Sequence, residues 1–305
     1  MKISLMGCGK VGAAVAYTAM WKGLAREMVL VDVSAEKARG EMLDILQCQA
    51  FAPAMKVKVG DAAATAGSDI VVITAGVPRK ADEPRVLLLS RNAGVVAGLV
   101  RDAVKYSPDC LLFIITNPLD VMVQLAYQVS NFPAGRVIGM GTVLDTFRYR
   151  SHIGEAFHVD AKDVDAYVIG EHGETMVPIT TGIRVRGIPL ADFPGYDDVL
   201  LERVVGDVIR ASGEVIALKG GTVFAPATAA SAVLESIVLD SSAVLPVCTY
   251  NQDYGVAVSL PTTVSRTGAG KAFSIAMSAK EEALLARSVD NIKAFVADMK
   301  AGMGG

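Results

Sequence analysis

The sequence predicts an α/β fold, a doubly wound parallel sheet followed by a mixed α+β region. Two observations support this prediction. Short, fully apolar segments alternate with helical patterns through the first half of the 305-residue chain, and the alternation stops after Gly141. Fully apolar strands separated by helices are typical of a parallel sheet that is covered on both faces. Hydrophobic residues make up 52% of the chain, which is enough for a large core.

Six strands are predicted in the first half, at residues 2–6, 28–33, 57–59, 70–74, 111–116 and 136–138. Helices are predicted between them at residues 11–22, 35–49, 87–106 and 120–130. Ser34 lies immediately before the second helix, where its hydroxyl is suited to cap the first turn. Six such strands within this length fit a doubly wound sheet of the Rossmann type.

The second half has a different pattern. Helices are predicted at residues 143–157, 197–219, 225–239 and 279–299, and strands at 164–168, 183–185 and 256–260. We therefore divide the chain into two domains, residues 1–142 and residues 143–305. No Pro/Ser-rich linker separates them, so we expect the two parts to pack tightly.

Charge and cysteine usage argue against several classes of protein. The net charge is −3, without a basic face that would favour nucleic acid. The longest uncharged stretches, such as residues 220–234, are shorter than the ~20 apolar residues of a membrane span. No signal peptide is visible, and the four cysteines match no metal-binding spacing. We therefore expect a cytoplasmic protein with reduced thiols and no metal.

The segment Gly7-Cys8-Gly9-Lys10-Val11-Gly12 matches G-x-G-x-x-G. It follows a predicted strand and opens a predicted helix, whose N-terminal N–H groups attract phosphates. Asp32 ends the second strand, where a carboxylate accepts hydrogen bonds from a ribose 2′-OH and repels a 2′-phosphate. The motif predicts a dinucleotide site that prefers NAD to NADP. The alternative is a structural glycine-rich turn.

Two arginines, Arg79 and Arg85, lie in the loop after the strand at residues 70–74. Ligands bind at the carboxyl ends of strands in such sheets, and guanidinium groups pair with carboxylates. The loop therefore predicts a small anionic substrate. The alternative for Arg79 is a solvent-facing side chain, with Lys80 as a second candidate.

His172, in Gly170-Glu171-His172-Gly173, is the conspicuous candidate for a general acid/base among the three histidines. His152 and His158 fit a surface or core role better. Asp145 and Arg148 are three residues apart on one predicted helix face, suited to orient a histidine and bind a carboxylate, or to form an ordinary ion pair. Asn117 ends a strand and either donates to a substrate oxygen or forms an Asn-Pro turn.

The segments GCGKVG, VDV, ITAGVPRKADEPR, ITNPLD, LDTFRYR and GEHGE, in this order, resemble the lactate/malate dehydrogenase family across essentially the whole chain. The resemblance implies that His172 donates and accepts the proton, with Asp145 as its partner. It implies that Arg148 binds the C1 carboxylate and that Arg85, on a closing loop, polarises the reacting carbonyl. It places Asn117 against both substrate and cofactor and implies a cis Asn117–Pro118 bond. The cofactor residues that it implies are Gly7, Cys8, Gly9, Lys10, Val11, Gly12, Asp32, Thr74, Ala75, Gly76, Asn92, Ile115, Thr116 and Asn117.

The residue at position 79 separates the two activities of this family. The malate enzymes resemble this chain in having arginine there, whereas the lactate enzymes have glutamine. Arg79 therefore favours malate and oxaloacetate. The acids Asp82 and Glu83 and the absence of the usual loop glycine weaken that expectation. Thr222 stands where lactate enzymes have threonine, and either contacts the substrate or caps the next helix.

Three alternatives remain at this point. The chain is an NAD-dependent malate dehydrogenase, a lactate or broader 2-hydroxy-acid dehydrogenase, or a non-enzymatic NAD-binding protein on the same fold. The resemblance further implies a homotetramer or homodimer. Apolar helices at residues 11–20 and 225–239 are suited to an interface, and core packing explains them equally well.

Overall fold

The computed structural model describes residues 1–77 and 85–303, without the side chains of residues 85–88. Six parallel strands form the centre of its largest sheet: β1 (Lys2–Met6), β2 (Glu27–Val31), β3 (Lys56–Val59), β4 (Ile70–Ile73), β5 (Leu111–Ile114) and β6 (Val137–Gly139). Their spatial order is β6-β5-β4-β1-β2-β3. This order confirms the predicted doubly wound parallel sheet, and its direction reverses between β1 and β4, where such sheets bind ligands.

The helices of the first half are α1 (Lys10–Trp21), α2 (Ala35–Gln47), α3 (Arg85–Tyr106) and α4 (Leu119–Ser130). Ser34 caps α2 as expected, since its side chain accepts a hydrogen bond from the Lys37 N–H. The strands are apolar because helices cover the sheet. All four residues of β4 and all four of β5 are buried.

The second half contains α5 (Val143–Phe157), α6 (Asp198–Lys219), α7 (Phe224–Leu239) and α8 (Ala279–Met303). Its strands are β7 (Val164–Asp165), β8 (Val168–Ile169), β9 (Val177–Pro178), β10 (Arg184–Val185), β11 (Ile188–Pro189), β12 (Ala243–Asn251), β13 (Val256–Ser265) and β14 (Gly268–Ala272). A smaller apolar core lies between α5, α6 and the short strands, and includes Tyr149, Ile153, Val168 and Val208. The mixed α+β character is confirmed.

The single strand predicted at residues 164–168 is wrong. β7 pairs with β10, whereas β8 pairs with β9 in a separate sheet. Ala166 and Tyr167 lie between the two strands, and their carbonyls accept hydrogen bonds from Arg150 and from the Ile179 N–H. An apolar run alone does not show that its two ends pair with different partners.

The sequence reading missed β12 and β14 and placed the end of β13 too early. β12, β13 and β14 extend the large sheet antiparallel beyond β6. Proline argues against a strand because it cannot donate to the ladder, but Pro246 of β12 is paired opposite Pro261 of β13. The nine-stranded sheet thus includes strands from both sides of residue 142, and the division at that residue stays a prediction.

Helices α1 and α7 pack against each other within the chain. Ala16, Ala19 and Met20 of α1 are buried, and Lys22 pairs with Glu235 of α7 at 2.6 Å. Packing within the chain therefore accounts for much of the apolar character of these two helices, for which a subunit interface was the alternative explanation. Trp21 nevertheless remains 44% exposed. Within residues 1–77 and 85–303, no helix is long and apolar enough to span a membrane.

Candidate active site

A cavity of about 1230 Å³ opens at the carboxyl ends of the parallel strands, where the sheet reverses direction. The glycine-rich turn and the loops after β4 and β5 line one side, which we call the cofactor side. The start of α5, the loop that carries His172, α6 and the start of α7 line the other, which we call the substrate side. The strand order therefore brings together sequence segments as distant as Gly9 and Pro226.

The glycine turn allows close approach of the backbone. Gly7 has φ +111°, a conformation that favours glycine. A Cβ on Gly12 would lie 2.0 Å from the Gly7 carbonyl oxygen, so only glycine lets α1 pack this closely. A Cβ on Gly9 would meet no atom within 4 Å. Gly9 precedes α1 without a capping side chain, which leaves the first N–H groups of the helix for an anionic ligand.

Asp32 follows β2 and is held against the same turn. Its Oδ2 accepts a hydrogen bond from the Cys8 N–H at 2.6 Å, and its Oδ1 accepts one from the Ser34 N–H at 3.0 Å. The Cys8 side chain itself is buried, and burial raises the pKa of its thiol to about 12. Only the Cys8 backbone thus contributes to the turn, whereas the Asp32 carboxylate is partly exposed beside it.

Polar side chains tie together the loops after β4 and β5. Asn92 of α3 accepts a hydrogen bond from the Val77 N–H at 2.8 Å and donates to the Asn117 carbonyl at 3.0 Å. Thr116 donates to the Ala75 carbonyl at 2.7 Å, and Thr74 donates to the Gly7 carbonyl at 2.7 Å. The Asn117–Pro118 bond is cis. These contacts form a connected wall on the cofactor side.

On the substrate side, His172 is paired with a buried carboxylate. Its Nδ1 lies 2.5 Å from Oδ2 of Asp145, a fully buried residue in the first turn of α5. Burial favours the neutral imidazole, but the charge and hydrogen bond of Asp145, together with the smaller effect of Asp120, outweigh burial and raise the pKa of His172. Burial likewise opposes the charge on Asp145, but His172 and Arg148 hold its pKa below the usual value. The other ring nitrogen, Nε2, is the atom that remains for a ligand.

Arg148 lies one turn along the same helix. Its Nη1 donates to Asp145 Oδ1 at 3.1 Å and to Ser212 Oγ of α6 at 2.7 Å. The Arg148 side chain is only 11% exposed. The arginine is therefore not on a solvated helix surface, which disfavours the ordinary surface ion pair. It is a fixed cation beside the cavity, suited to bind a carboxylate.

The loop that carries His172 is held by the rest of the domain. Gly170 exchanges two backbone hydrogen bonds with Ser259 of β13. Ser288 of α8 accepts a hydrogen bond from the Glu171 N–H at 2.8 Å. The Glu171 carboxylate accepts hydrogen bonds from the Thr175 hydroxyl and, at 2.8 Å, from Asn291. These contacts fix the position of the histidine before any ligand binds.

Most of the predicted site residues meet at this cavity. Its lining includes Gly9, Lys10, Val11, Gly12, Thr74, Gly76, Asn92, Ile115, Thr116, Asn117, Asp145, His172 and Thr222. Gly7, Cys8, Asp32, Ala75 and Arg148 support the lining from behind or beside it. His152 and His158 do not line it, as expected.

The predicted positions Arg79, Arg85 and Thr222 differ in how far the structure describes them. Arg79 lies outside the described residues, as do Lys80, Asp82 and Glu83. Arg85 is the first residue of α3, and its side chain is outside the described part. Thr222 does not cap α7, because Val223 holds the N-cap position without a side-chain hydrogen bond. The cavity contact is therefore the better interpretation of Thr222.

The sequence reading missed the contribution of α6. Ile209, Arg210, Ser212, Gly213, Glu214 and Ile216 of this helix line the substrate side. In the sequence the helix shows only an amphipathic pattern, which does not reveal that part of one face borders a cavity. The available signal was the run of small residues Ala211, Ser212 and Gly213 in this helix.

Two family models match the chain almost end to end. Residues 1–139 match the lactate/malate dehydrogenase NAD-binding domain, and residues 142–302 match the lactate/malate dehydrogenase α/β C-terminal domain. The L-lactate dehydrogenase of Clostridium botulinum (strain Langeland) is 36% identical over 301 residues, covering 96% of this chain and 95% of the relative. That of Acetivibrio thermocellus is 36% identical over 304 residues, covering 97% of this chain and 96% of the relative.

Solved structures show the same likeness. A ligand-bound minor L-lactate dehydrogenase from Enterococcus mundtii superposes with a TM-score of 0.94 at 30% identity, covering 97% of both chains. The lactate dehydrogenase MGS-M5 from a Medee basin deep-sea metagenome library gives 0.95 at 30% identity over 98% of both. The open space at Gly9 and the uncapped start of α1 fit the dinucleotide. The chain therefore belongs to the lactate/malate dehydrogenase family, and its cofactor is NAD.

Proposed function

We propose that this NAD-dependent oxidoreductase of the CH–OH group interconverts malate and oxaloacetate, with His172 as the proton donor and acceptor. The observation that supports the chemistry is the His172–Asp145 pair, 2.5 Å apart, in the same cavity as the glycine turn. This coincidence of an acid/base pair with a dinucleotide cradle disfavours a non-enzymatic NAD-binding protein.

Proton transfer follows from how the histidine is held. Asp145 fixes Nδ1, so Nε2 faces the exchange with substrate. NAD, when bound, supplies or accepts the hydride at the substrate carbon. As an oxo acid is reduced, negative charge develops on its carbonyl oxygen, and protonated His172 gives that oxygen a proton. In the reverse direction neutral His172 accepts the proton of the hydroxyl group.

Arg148 is the proposed partner of the C1 carboxylate that all 2-hydroxy acids share. Ser212 and Asp145 hold its guanidinium group, so little side-chain freedom is lost when the substrate binds. Asn117, exposed at the end of β5, is proposed to donate to substrate and cofactor. Arg85 is proposed to stabilise the carbonyl oxygen, and Thr222 to contact the substrate side chain.

The choice of substrate is proposed to depend on Arg79. A closed site would leave this cation without a partner if pyruvate were bound, whereas the second carboxylate of oxaloacetate pairs with it. Unpaired buried polar groups reject an analogue by up to roughly 10⁴–10⁵ in kcat/KM. Malate is therefore the substrate that the charge of the loop supports.

Lactate is the second candidate, and the comparisons favour it. The relatives at 36% identity and the superposed structures are named lactate dehydrogenases. A single substitution in a loop hardly changes an overall identity of 36%, so similarity of this degree leaves position 79 to decide the substrate.

The test compares kcat/KM for oxaloacetate and pyruvate with NADH, first in the native protein. We expect a higher value for oxaloacetate. Arg79→Gln should lower the oxaloacetate-to-pyruvate ratio by roughly 100-fold or more, because it removes the partner of the second carboxylate. Lys80→Gln is the matched control, since it removes a charge from the next residue and should leave the ratio nearly unchanged.

Two outcomes contradict this proposal: the first contradicts the malate assignment, and the second contradicts the role of Arg79. Faster turnover of pyruvate by the native protein makes lactate the substrate. A ratio that changes with Lys80→Gln and not with Arg79→Gln assigns the second carboxylate to Lys80. The homo-oligomeric state, tetramer or dimer, the cytoplasmic location and the division into residues 1–142 and 143–305 stay predictions.

A further inference from the structure

Asp120, in the first turn of α4, is a buried carboxylate placed directly against the loop that carries His172. Its Oδ2 accepts a hydrogen bond from the His172 backbone N–H at 2.9 Å. The residue is 3% exposed. Among the described residues, its Oδ1 has no hydrogen-bond partner and is also buried. The chemistry proposed above uses Asp145 and gives Asp120 no role.

A charge at this position needs a reason. Burying a carboxylate carries a large solvation penalty, and one backbone N–H together with the weak thiol donor of Cys248 does not offset it. An asparagine would present the same acceptor to the His172 N–H at a lower desolvation cost. The negative charge is therefore not explained by anchoring the loop alone.

The groups around the histidine identify what the charge serves. Asp145 and Arg148 face His172 from α5, Asp120 faces it from α4, and Glu171 precedes it on its own loop. Arg148 disfavours a protonated ring, whereas both aspartates favour it. The Glu171 carboxylate is occupied by Thr175 and Asn291. Asp120 is thus a second acid that acts on the ring.

Few other charged or titratable groups act on Asp120. The charged or titratable groups that act on it are His172, Glu171 and the Cys248 thiol of β12. Burial raises the pKa of that thiol well above its usual value, so Cys248 is neutral. No cation other than His172 is among the groups that act on Asp120 in the described part of the chain.

We propose that Asp120 is a positioning residue for proton transfer, which fixes the His172 backbone through its Oδ2 and favours the imidazolium form through its charge. Asp145 holds the imidazole ring of His172, and Asp120 holds the backbone of the same residue. Carboxylates from two helices therefore contact one histidine. The catalytic part of this inference rests on the proposed function, and the effect on the histidine does not.

The pKa directions agree with this arrangement. Burial is the largest influence on Asp120 and raises its pKa to about 6, so the group is ionised at neutral pH. Burial lowers the pKa of His172, and the two aspartates together more than offset that effect. The charge of Asp120 is therefore present in the range where the histidine must exchange its proton.

The direct test is an NMR titration of the three histidines in the native protein and in Asp120→Asn. The variant keeps the acceptor for the His172 N–H and removes the charge. We expect the midpoint of His172 to move to lower pH, while His152 and His158 remain unchanged as internal references. Asp165→Asn is the matched control, because Asp165 is an exposed acid outside the cavity. This variant should not move the titration midpoint of any of the three histidines to lower pH. An unchanged His172 midpoint in the folded Asp120→Asn protein overturns the proposal.

Kinetics separate this role from a structural one. Reduction of an oxo acid needs protonated His172, so its rate falls as pH rises through the pKa of that residue, and oxidation of a hydroxy acid gains over the same range. Asp120→Asn should move both midpoints to lower pH. A merely structural defect lowers both plateaus, leaves the midpoints in place and contradicts the proposal.

Asp120→Ala removes the acceptor as well and should lower kcat further, by roughly 10- to 100-fold. If Asp120→Ala does not fold, Asp120→Asn alone decides. If the native protein turns over no 2-hydroxy acid, the proposed function fails, and the NMR titration still decides the part played by Asp120.

Discussion

The two sides of the cavity differ in the kinds of chemical group that line them. The cofactor side is made mainly of backbone atoms, glycines and neutral side chains, with Lys10 and the edge acid Asp32 as its charged groups. The substrate side contains the largely buried ionisable groups Asp145, Arg148 and His172, whose charges hold one another. The cofactor side is therefore suited to recognise its ligand mainly by shape and free N–H groups, and the substrate side by charge. Substitutions on the two sides should therefore fail in different ways.

The largest expected effect is on the substrate side. His172→Asn removes the proposed proton donor and should lower kcat by roughly 10²- to 10⁴-fold. Steady-state kinetics in both directions measure this loss, with NADH affinity as the control because the histidine lies away from the glycine turn. Retention of more than a tenth of the native kcat would show that another group exchanges the proton.

A steric change on the cofactor side should come next. Gly12→Ala places a Cβ 2.0 Å from the Gly7 carbonyl oxygen, so α1 must move away from the turn. Overpacking of this kind costs about 1–3 kcal/mol, and NADH affinity should fall roughly 10- to 100-fold. Fluorescence titration with NADH measures the change. Gly9→Ala is the comparison variant, because its Cβ would meet no protein atom within 4 Å. Its effect on NADH affinity therefore shows whether the bound dinucleotide itself fills that space.

The one acid of the cofactor side should affect the choice of dinucleotide. Asp32→Asn keeps the size of the side chain and removes the charge that repels a 2′-phosphate, so the preference for NAD over NADP should fall roughly tenfold. The ratio of kcat/KM for the two cofactors measures it. Asp44→Asn, at an exposed acid of α2, should leave the ratio unchanged. An equal change in both variants would mean that the overall charge of this surface matters and Asp32 does not.

The smallest expected effect concerns the support of Arg148. Ser212→Ala removes the acceptor that lies 2.7 Å from Nη1, so the guanidinium group is held by Asp145 alone. The loss of one hydrogen bond of about 1 kcal/mol should raise KM for the oxo acid roughly fivefold with little change in kcat. A fall in kcat at constant KM would instead place Ser212 in the chemical step.

The cofactor side could be predicted almost completely from the sequence. Each of its segments follows a strand, and the spacing of the glycine motif locates Gly7, Gly9, Gly12 and Asp32. Even there, the spacing does not show the hydrogen bond between the Cys8 N–H and Asp32, which joins residues 24 apart in the chain.

The substrate side was predicted only in part. His172, Asp145 and Arg148 carry chemical signals that a sequence shows, whereas Ser212 lies on an amphipathic helix whose one further signal is a short run of small residues. Asp120 stood in a recognised segment, but its contact with the His172 backbone joins residues 52 apart in the chain. The antiparallel strands β12 and β14 were missed for a similar reason, since pairing across the sheet, and not local propensity, makes them strands.

The most direct test of the separation between the two sides measures NADH affinity and the single-turnover rate at saturating NADH on the same two variants, Gly12→Ala and His172→Asn. We expect opposite results for the two variants. Gly12→Ala should weaken NADH binding and nearly keep the rate of the saturated complex, whereas His172→Asn should keep NADH binding and lose the rate. A His172→Asn protein that binds NADH normally and reduces its oxo acid at the native rate would contradict the account.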